Sequence, residues 1–362
     1  MKSLYIHIPF CKKKCHYCDF TSFSGREALM PEYIDALERE IYLLTTNHYP
    51  LTTVFIGGGT PSILSPQQLR RLLNIIKNNF DLTNLKEMTF EANPESLDRE
   101  KLSILQELFS EAIRLSIGLQ CFDNKYLKDL GRIHSSEEFL DKYTQARMLG
   151  INNINIDLIY GLPGQGLAQW QNTLQKTVAL KPEHISAYCL TPAKGTMFDY
   201  NNVSVDENIA SDMYKFTSEY LPANGYGHYE ISNFALSGRE CVHNKIYWGN
   251  KEYIGIGASA VSYINGVRSK NVADLGAYLK DAGKKSLVEE SESLDEESKL
   301  GETVMLGLRM RRGIELTQQI ESKYTDIITK YKNDGFLEIA DNRMFLTQKA
   351  LFVSNTILAD FV

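Results

Sequence analysis

Short β-branched and aromatic runs alternate six times with helix-periodic runs between residues 4 and 190, and this rhythm constrains the fold more than any other feature of the chain. Strand, helix, strand repeated in this way is the signature of a parallel sheet joined by helical crossovers. The runs LYIHIP (4–9), TTVFI (52–56), EMTFEA (87–92), IRLSIG (113–118), NINIDLIY (153–160) and HISAYCL (184–190) read as strands. Between them, 31–44 carries Ile34, Leu37, Ile41 and Leu44 on one helical face. Ser65-Pro66-Gln67-Gln68 opens a second helix with a capping-box pattern, a third lies near 98–109, a fourth runs from Ser135 and Glu138 to Gly150, and a fifth covers 167–179. No G-x-G-x-x-G follows the first strand, so the pattern predicts an α/β protein built on an incomplete (β/α)6 barrel rather than a doubly wound sheet. Chemistry in such barrels sits at the carboxyl ends of the strands, where Cys11, Gly57 to Thr60, Glu91, Gln120 and Asp157 fall.

Beyond residue 192 the rhythm fades. We divide the chain into a core at 1–235, a Gly- and Tyr-rich sheet extension with an acidic linker at 236–290, and a small α+β, winged-helix-like module at 291–362. Glu289, Glu290, Glu292, Asp295, Glu296 and Glu297 read as a solvated linker or an exposed helix start. With 39 Lys and Arg against 45 Asp and Glu, a formal charge of −6, the chain has no general positive field for a phosphate backbone, so nucleic acid is not expected as a partner. No apolar run approaches the roughly 20 residues of a membrane helix, and a cytoplasmic location is expected.

Three of the six cysteines, Cys11, Cys15 and Cys18, stand within eight residues, which is ligand spacing rather than disulfide stapling. Three thiolates on one loop suit an iron-sulfur cluster with one iron left open. Zinc is the alternative, and would need His7 or His16 as a fourth ligand. Cys121, Cys189 and Cys241 stand singly in apolar contexts and are expected to be dispensable for either. Each remaining candidate also has a plain structural reading. Gly57 to Gly59 could form a tight turn, without the Lys and Ser/Thr of a Walker loop; strand-end Glu, Gln or Asp residues often cap the next helix; Arg132 could make a surface ion pair.

YIHIPFCKKKCHYCDF resembles the cluster loop of the radical S-adenosylmethionine superfamily, and within it that of the oxygen-independent coproporphyrinogen III oxidase group. The phrases GGGTP (57–61), FEANP (90–94), GLQCF (118–122), LGRIH (130–134) and NIDLIYGLPGQ (155–165) are similar to that group in order and spacing, and the likeness extends into the C-terminal module. The resemblance implies a radical SAM barrel with a 4Fe-4S cluster on Cys11, Cys15 and Cys18, whose open iron is chelated by S-adenosylmethionine (SAM). It also implies roles for other residues: Tyr5 and Tyr17 flank that cofactor; Gly58, Gly59 and Thr60 bring backbone to its methionine end; Glu91 and Arg132 complement its ammonium and carboxylate; and Gln120 and Asp157 bind ribose hydroxyls.

Two features place the chain within the group. Oxidases of the HemN type resemble C-x3-C-x2-C-x-C, whereas here Cys18 is followed by Asp19 and Phe20. His243-Asn244-Lys245-Ile246-Tyr247-Trp248 resembles the H-N-x-x-Y-W signature of the HemW type, the haem chaperones. This likeness implies haem b as bound cargo, with His243 as the iron ligand and His7 or His228 as fallbacks, and Gly255 and Gly257 admitting a large planar guest. A core histidine packed among aromatics is the structural alternative. The implied partners are haem and haem-acceptor proteins such as respiratory enzymes, with a homodimer and peripheral membrane contact as further expectations. The rival reading is an enzyme, a radical oxidase or transferase acting on a porphyrinogen or haem.

Overall fold

Successive residues of the predicted strands differ in character, and this decides how they assemble. In the computed structural model, which describes residues 2–44 and 49–362, Leu4, Ile6, Ile8, Val54, Ile56, Met88, Phe90, Leu115, Ile117, Ile156 and Leu158 form one side of a continuous buried core. The alternating positions, among them Tyr5, His7, Thr53, Glu87, Glu91, Arg114, Ser116, Asn155, Asp157 and His184, are polar or aromatic. One face of each strand is therefore paired with helices, while the other encloses a polar interior.

Six strands lie parallel in chain order: β1 (Lys2–Ile8), β2 (Leu51–Gly58), β3 (Glu87–Ala92), β4 (Ile113–Gln120), β5 (Ile154–Tyr160) and β6 (His184–Cys189). The crossovers are α1 (Met30–Leu44), α2 (Pro66–Asn79), α3 (Arg99–Phe109), α4 (Asn124–Asp129), α5 (Ser136–Met148) and α6 (Leu167–Ala179). Both expected capping boxes are present, Ser65 with Gln68 on α2 and Ser135 with Glu138 on α5. After α7 (Met197–Tyr200) and α8 (Glu207–Ala223), the strands β7 (Gly227–Glu230) and β8 (Asn233–Ala235) run antiparallel beyond β6. A ninth strand, β9 (Ile254–Ile256), pairs parallel with β1, so the sheet curls but remains open. This is the incomplete barrel that the alternation predicts.

The H-N-K-I-Y-W segment forms α9 (Val242–Trp248) across the amino ends of β2 and β3. Its seat is Glu87, whose carboxylate accepts the backbone N–H of Val242 (3.1 Å) and His243 (2.9 Å) and pairs with Arg114 Nε at 2.8 Å. Burial by itself would raise the Glu87 pKa, but Arg114 and the two N–H groups hold it below the usual carboxylate range. The helix is thus a plug at the end of the barrel remote from the carboxyl ends of the strands.

The chain then forms a second sheet from β10 (Val261–Ile264), β11 (Val267–Asn271) and β12 (Val288–Ser293), with α10 (Leu275–Asp281) between the last two. The acidic stretch is part strand and part exposed helix start, Asp295, Glu296 and Glu297 forming the latter. Glu289, Glu290 and Glu292 lie in β12, where Lys270 faces Glu290 and Arg268 faces Glu292, and Asp295 caps the helix that follows. That helix, α11 (Glu296–Gly307), leads into β13 (Ile314–Glu315), α12 (Gln318–Lys323), α13 (Thr325–Asn333), β14 (Leu337–Ala340), β15 (Arg343–Leu346) and α14 (Ser354–Ala359), a winged-helix-like module with a three-stranded sheet. Backbone hydrogen bonds from Ile231 to Arg309 and from Arg311 to Tyr229 join this module to the barrel. Among the described residues no helix is long and apolar enough to cross a membrane.

Candidate functional site

The loop after β1 is held over the carboxyl ends of the strands by its own backbone. Cys11 N–H donates to Phe23 O (3.0 Å), Phe23 N–H to Pro9 O (2.7 Å) and His16 N–H to Leu130 O (2.9 Å). Cys11, Cys15 and Cys18, none of them in a disulfide, thereby line one cavity of about 430 Å³. Thr60 Oγ1 donates to the Cys11 sulfur at 3.3 Å, and Arg132 Nη1 approaches the Cys15 sulfur at 3.5 Å. Burial raises the Cys11 thiol and pushes Cys18 up to about 11, so both are protonated thiols at neutral pH.

Opposite the thiols, polar side chains from four strands converge. Glu91 Oε2 accepts the Gly58 N–H at 3.1 Å. Burial, reinforced by the charge of Asp157, pushes Glu91 up to about 8. Asp157 accepts from Ser116 Oγ (2.8 Å) and Asn155 Nδ2 (2.9 Å), yet burial still raises its pKa. Arg132 Nη2 donates to Asn93 Oδ1 (2.6 Å) and to Gly118 O (3.0 Å), and Asn93 Nδ2 donates to Thr60 Oγ1 (3.0 Å). Burial pulls the Arg132 pKa down, but Tyr17 and Cys15 raise it further, and it remains a cation. At Gln120 the chain adopts φ +68° where the β4–β5 register shifts, a bulge that turns the side chain into the cavity.

Cys11, Cys15, Cys18, Tyr17, Gly58, Gly59, Thr60, Glu91, Gln120, Arg132 and Asp157 all line this cavity. The glycines are required by the protein's own packing: a Cβ on Gly58 (φ +111°) would sit 2.5 Å from the His7 ring, and one on Gly59 would sit 2.8 Å from Phe10 O. Tyr5 does not line this cavity. It stands lower on β1, hydrogen-bonded to His7 Nδ1 at 2.9 Å, and lines a separate cavity of about 340 Å³ with His7, Phe20 and Tyr247.

His243 does not line this cavity either. Its ring is fully buried in the plug, with Nδ1 2.9 Å from Thr53 Oγ1 and Nε2 2.9 Å from the Tyr247 hydroxyl, so in this conformation it is a satisfied core histidine and presents no free nitrogen. The fallbacks are also engaged: His7 Nε2 faces Thr21 O, and His228 Nε2 faces Ile231 O while its ring stacks on Phe234. Gly255 and Gly257 approach Val261 backbone and Tyr33, closing on the protein itself. For the zinc alternative, His7 is engaged as described and His16 Nδ1 faces Asp129 O. Sequence reasoning missed Asn93, Ser116 and Tyr188, which also line the thiol-bearing cavity. Asn93 stands inside FEANP, and Ser116 occupies a polar position of the strand alternation, so both were recoverable.

Two family models match the chain, the radical SAM superfamily over residues 5–177 and the HemN C-terminal domain over 294–353. A protein of Lactococcus lactis subsp. lactis named "Heme chaperone HemW" is 38% identical over 375 residues, covering 99% of this chain and 97% of its own length. One of the same name from Bacillus subtilis is 34% identical, covering 100% and 99%. The chain belongs to the HemW family of radical SAM proteins. Its fold is also that of the coproporphyrinogen III oxidase HemN of Escherichia coli, with a TM-score of 0.83 at 24% identity over 99% of this chain and 89% of that one. Unlike the oxidase pattern with its further cysteine, this HemW-family chain has Phe20 two residues after Cys18, 63% exposed at the cavity.

Proposed function

We propose that this chain is a haem chaperone that binds haem b and passes it to haem proteins, such as respiratory enzymes, and that it carries a 4Fe-4S cluster and SAM in the thiol-bearing cavity. The observation that carries the reading is the near full-length likeness to HemW proteins of two organisms. The site's chemistry fits the two cofactors. Three thiols of one loop face a common cavity, and two buried carboxylates with raised pKa values sit beside a fixed guanidinium, an arrangement that suits a ligand bearing both positive and negative groups.

When bound, the cluster supplies a one-electron redox centre with an open coordination position. Cys11, Cys15 and Cys18 would hold it, with the Thr60 hydroxyl and Arg132 stabilising thiolate charge. Glu91 would receive the ammonium of SAM, Arg132 its carboxylate, and Gln120 and Asp157 its ribose hydroxyls. The oxidase reading has less support, since Asp19 and Phe20 place no thiol where the oxidase pattern has one.

The test is haem uptake and transfer. The anaerobically reconstituted chain should bind haem saturably, and adding an apo-haem protein should move the Soret absorbance to the acceptor. Absence of saturable binding would refute the chaperone reading.

A further inference from the structure

Tyr188 and Cys189, at the end of β6, line the cofactor cavity and also a second cavity, of about 950 Å³, between the end of β6 and the C-terminal module. The volume is near the upper end of small-molecule sites, roughly 300–1,000 Å³. We propose that this cavity is the tetrapyrrole chamber, taking ferric haem with its ring against an aromatic wall, its iron on the Cys189 sulfur and a propionate on Arg309. The inference rests on the chaperone reading and goes beyond it by giving the cargo a site and ligands.

Three observations converge. Tyr160, Tyr214 and Phe352 form an aromatic row along the chamber wall, with ring centroids 6.4 and 5.9 Å apart and planes tilted by 35° and 45°; Tyr160 and Tyr214 are largely buried, and the row gives the chamber an apolar side for a macrocycle. Arg309, contributed by the C-terminal module, lines the chamber beside the buried Glu230 carboxylate, with its guanidinium 4.4 Å from the Trp248 ring centroid, and is the positive charge there that a propionate would meet. The chamber shares Tyr188 to Thr191 with the cofactor cavity, so cargo and cofactor would be neighbours across one strand end.

A polyphosphate suits the chamber poorly, because Asp199 and Glu207 stand in its wall and Arg309 is the one Arg or Lys among its lining residues. Ligation is a proton exchange without redox change. The Cys189 S–H gives its proton to solvent, the sulfur lone pair forms the bond to Fe(III), and a water leaves the iron. Burial pushes that thiol up to about 11, so the metal has to drive the deprotonation. His243, locked in the plug, is not needed as a ligand.

The test titrates ferric haem into the full-length, anaerobically reconstituted chain and follows absorbance and the ferric electron paramagnetic resonance spectrum. Wild type should saturate with a thiolate-ligated signature. Cys189→Ala should shift the Soret band and weaken binding at least tenfold; Asn355→Trp, an exposed position at the cavity, should weaken binding by a similar factor without touching the sulfur. Unchanged iron-sulfur content and circular dichroism would show that both variants are folded. Saturable wild-type binding with spectra and affinity unaltered in both variants would overturn the chamber and leave the chaperone reading standing. No saturable binding by wild type would overturn both.

Discussion

Burial raises the pKa values of both Glu91 and Asp157 in the thiol-bearing cavity, and the charge of Asp157 raises Glu91 further. A cation placed there counters that rise. With Glu91 at about 8, the cofactor-free chain holds it protonated at neutral pH, and a positively charged ligand must expel the proton. SAM affinity should therefore rise between about pH 6.5 and pH 8.5, measured by calorimetry, and Glu91→Gln should remove the rise. The linkage has a definite sign in the free protein. A carboxyl raised from 4.5 to about 8 contributes stability that is complete below 4.5 and lost as pH climbs to 8, so the same variant should flatten unfolding free energy across that window. Arg132→Ala and Asp157→Asn should each weaken SAM binding by roughly 1–3 kcal/mol, the worth of a charge-assisted hydrogen bond. The check is perturbation of the reduced cluster's electron paramagnetic resonance by SAM; an unchanged cofactor titration in both variants would remove these residues from the site.

At the scale of elements, what could be read from the sequence was what local chemistry encodes. Strand alternation and Ser-initiated caps put six strands and their helices in the right places, and the strand-end residues duly line one cavity. The roles of α9 and β12 were illegible because they depend on distant partners. The plug exists because Glu87 and Arg114, on β3 and β4, receive a helix that begins 155 positions after Glu87, and the acidic run forms a strand because Lys270 and Arg268 face it. The signature histidine, His243, is packed within that plug, hydrogen-bonded to Thr53 and Tyr247. His243→Ala should accordingly cost roughly 2–4 kcal/mol of stability, from a cavity and two broken hydrogen bonds, in denaturant unfolding. Iron and sulfide content should stay near that of wild type, since the His243 ring is held by Thr53 and Tyr247 and touches none of the three clustered cysteines.

For the whole molecule, the C-terminal module is knit to the barrel rather than tethered to it. Backbone bonds at Tyr229, Ile231, Arg309 and Arg311 tie the two together and leave the larger cavity between them, and the two-pronged Arg268–Glu302 pair at 2.7 Å ties the module to the β10–β12 sheet. No periodicity announces such a chamber, because it is bounded by β6, α8 and a module more than a hundred residues later. The account makes this scaffold a carrier: an oxidase-like barrel with an intact cofactor cavity, Phe20 where the oxidase pattern has a thiol, and room for a tetrapyrrole. One anaerobic assay tests that claim most directly, with coproporphyrinogen III, SAM and a one-electron donor supplied to a chain carrying about four iron per polypeptide. The account predicts that coproporphyrinogen III is recovered unchanged. Turnover to protoporphyrinogen IX in amounts exceeding the protein would contradict it and restore the oxidase.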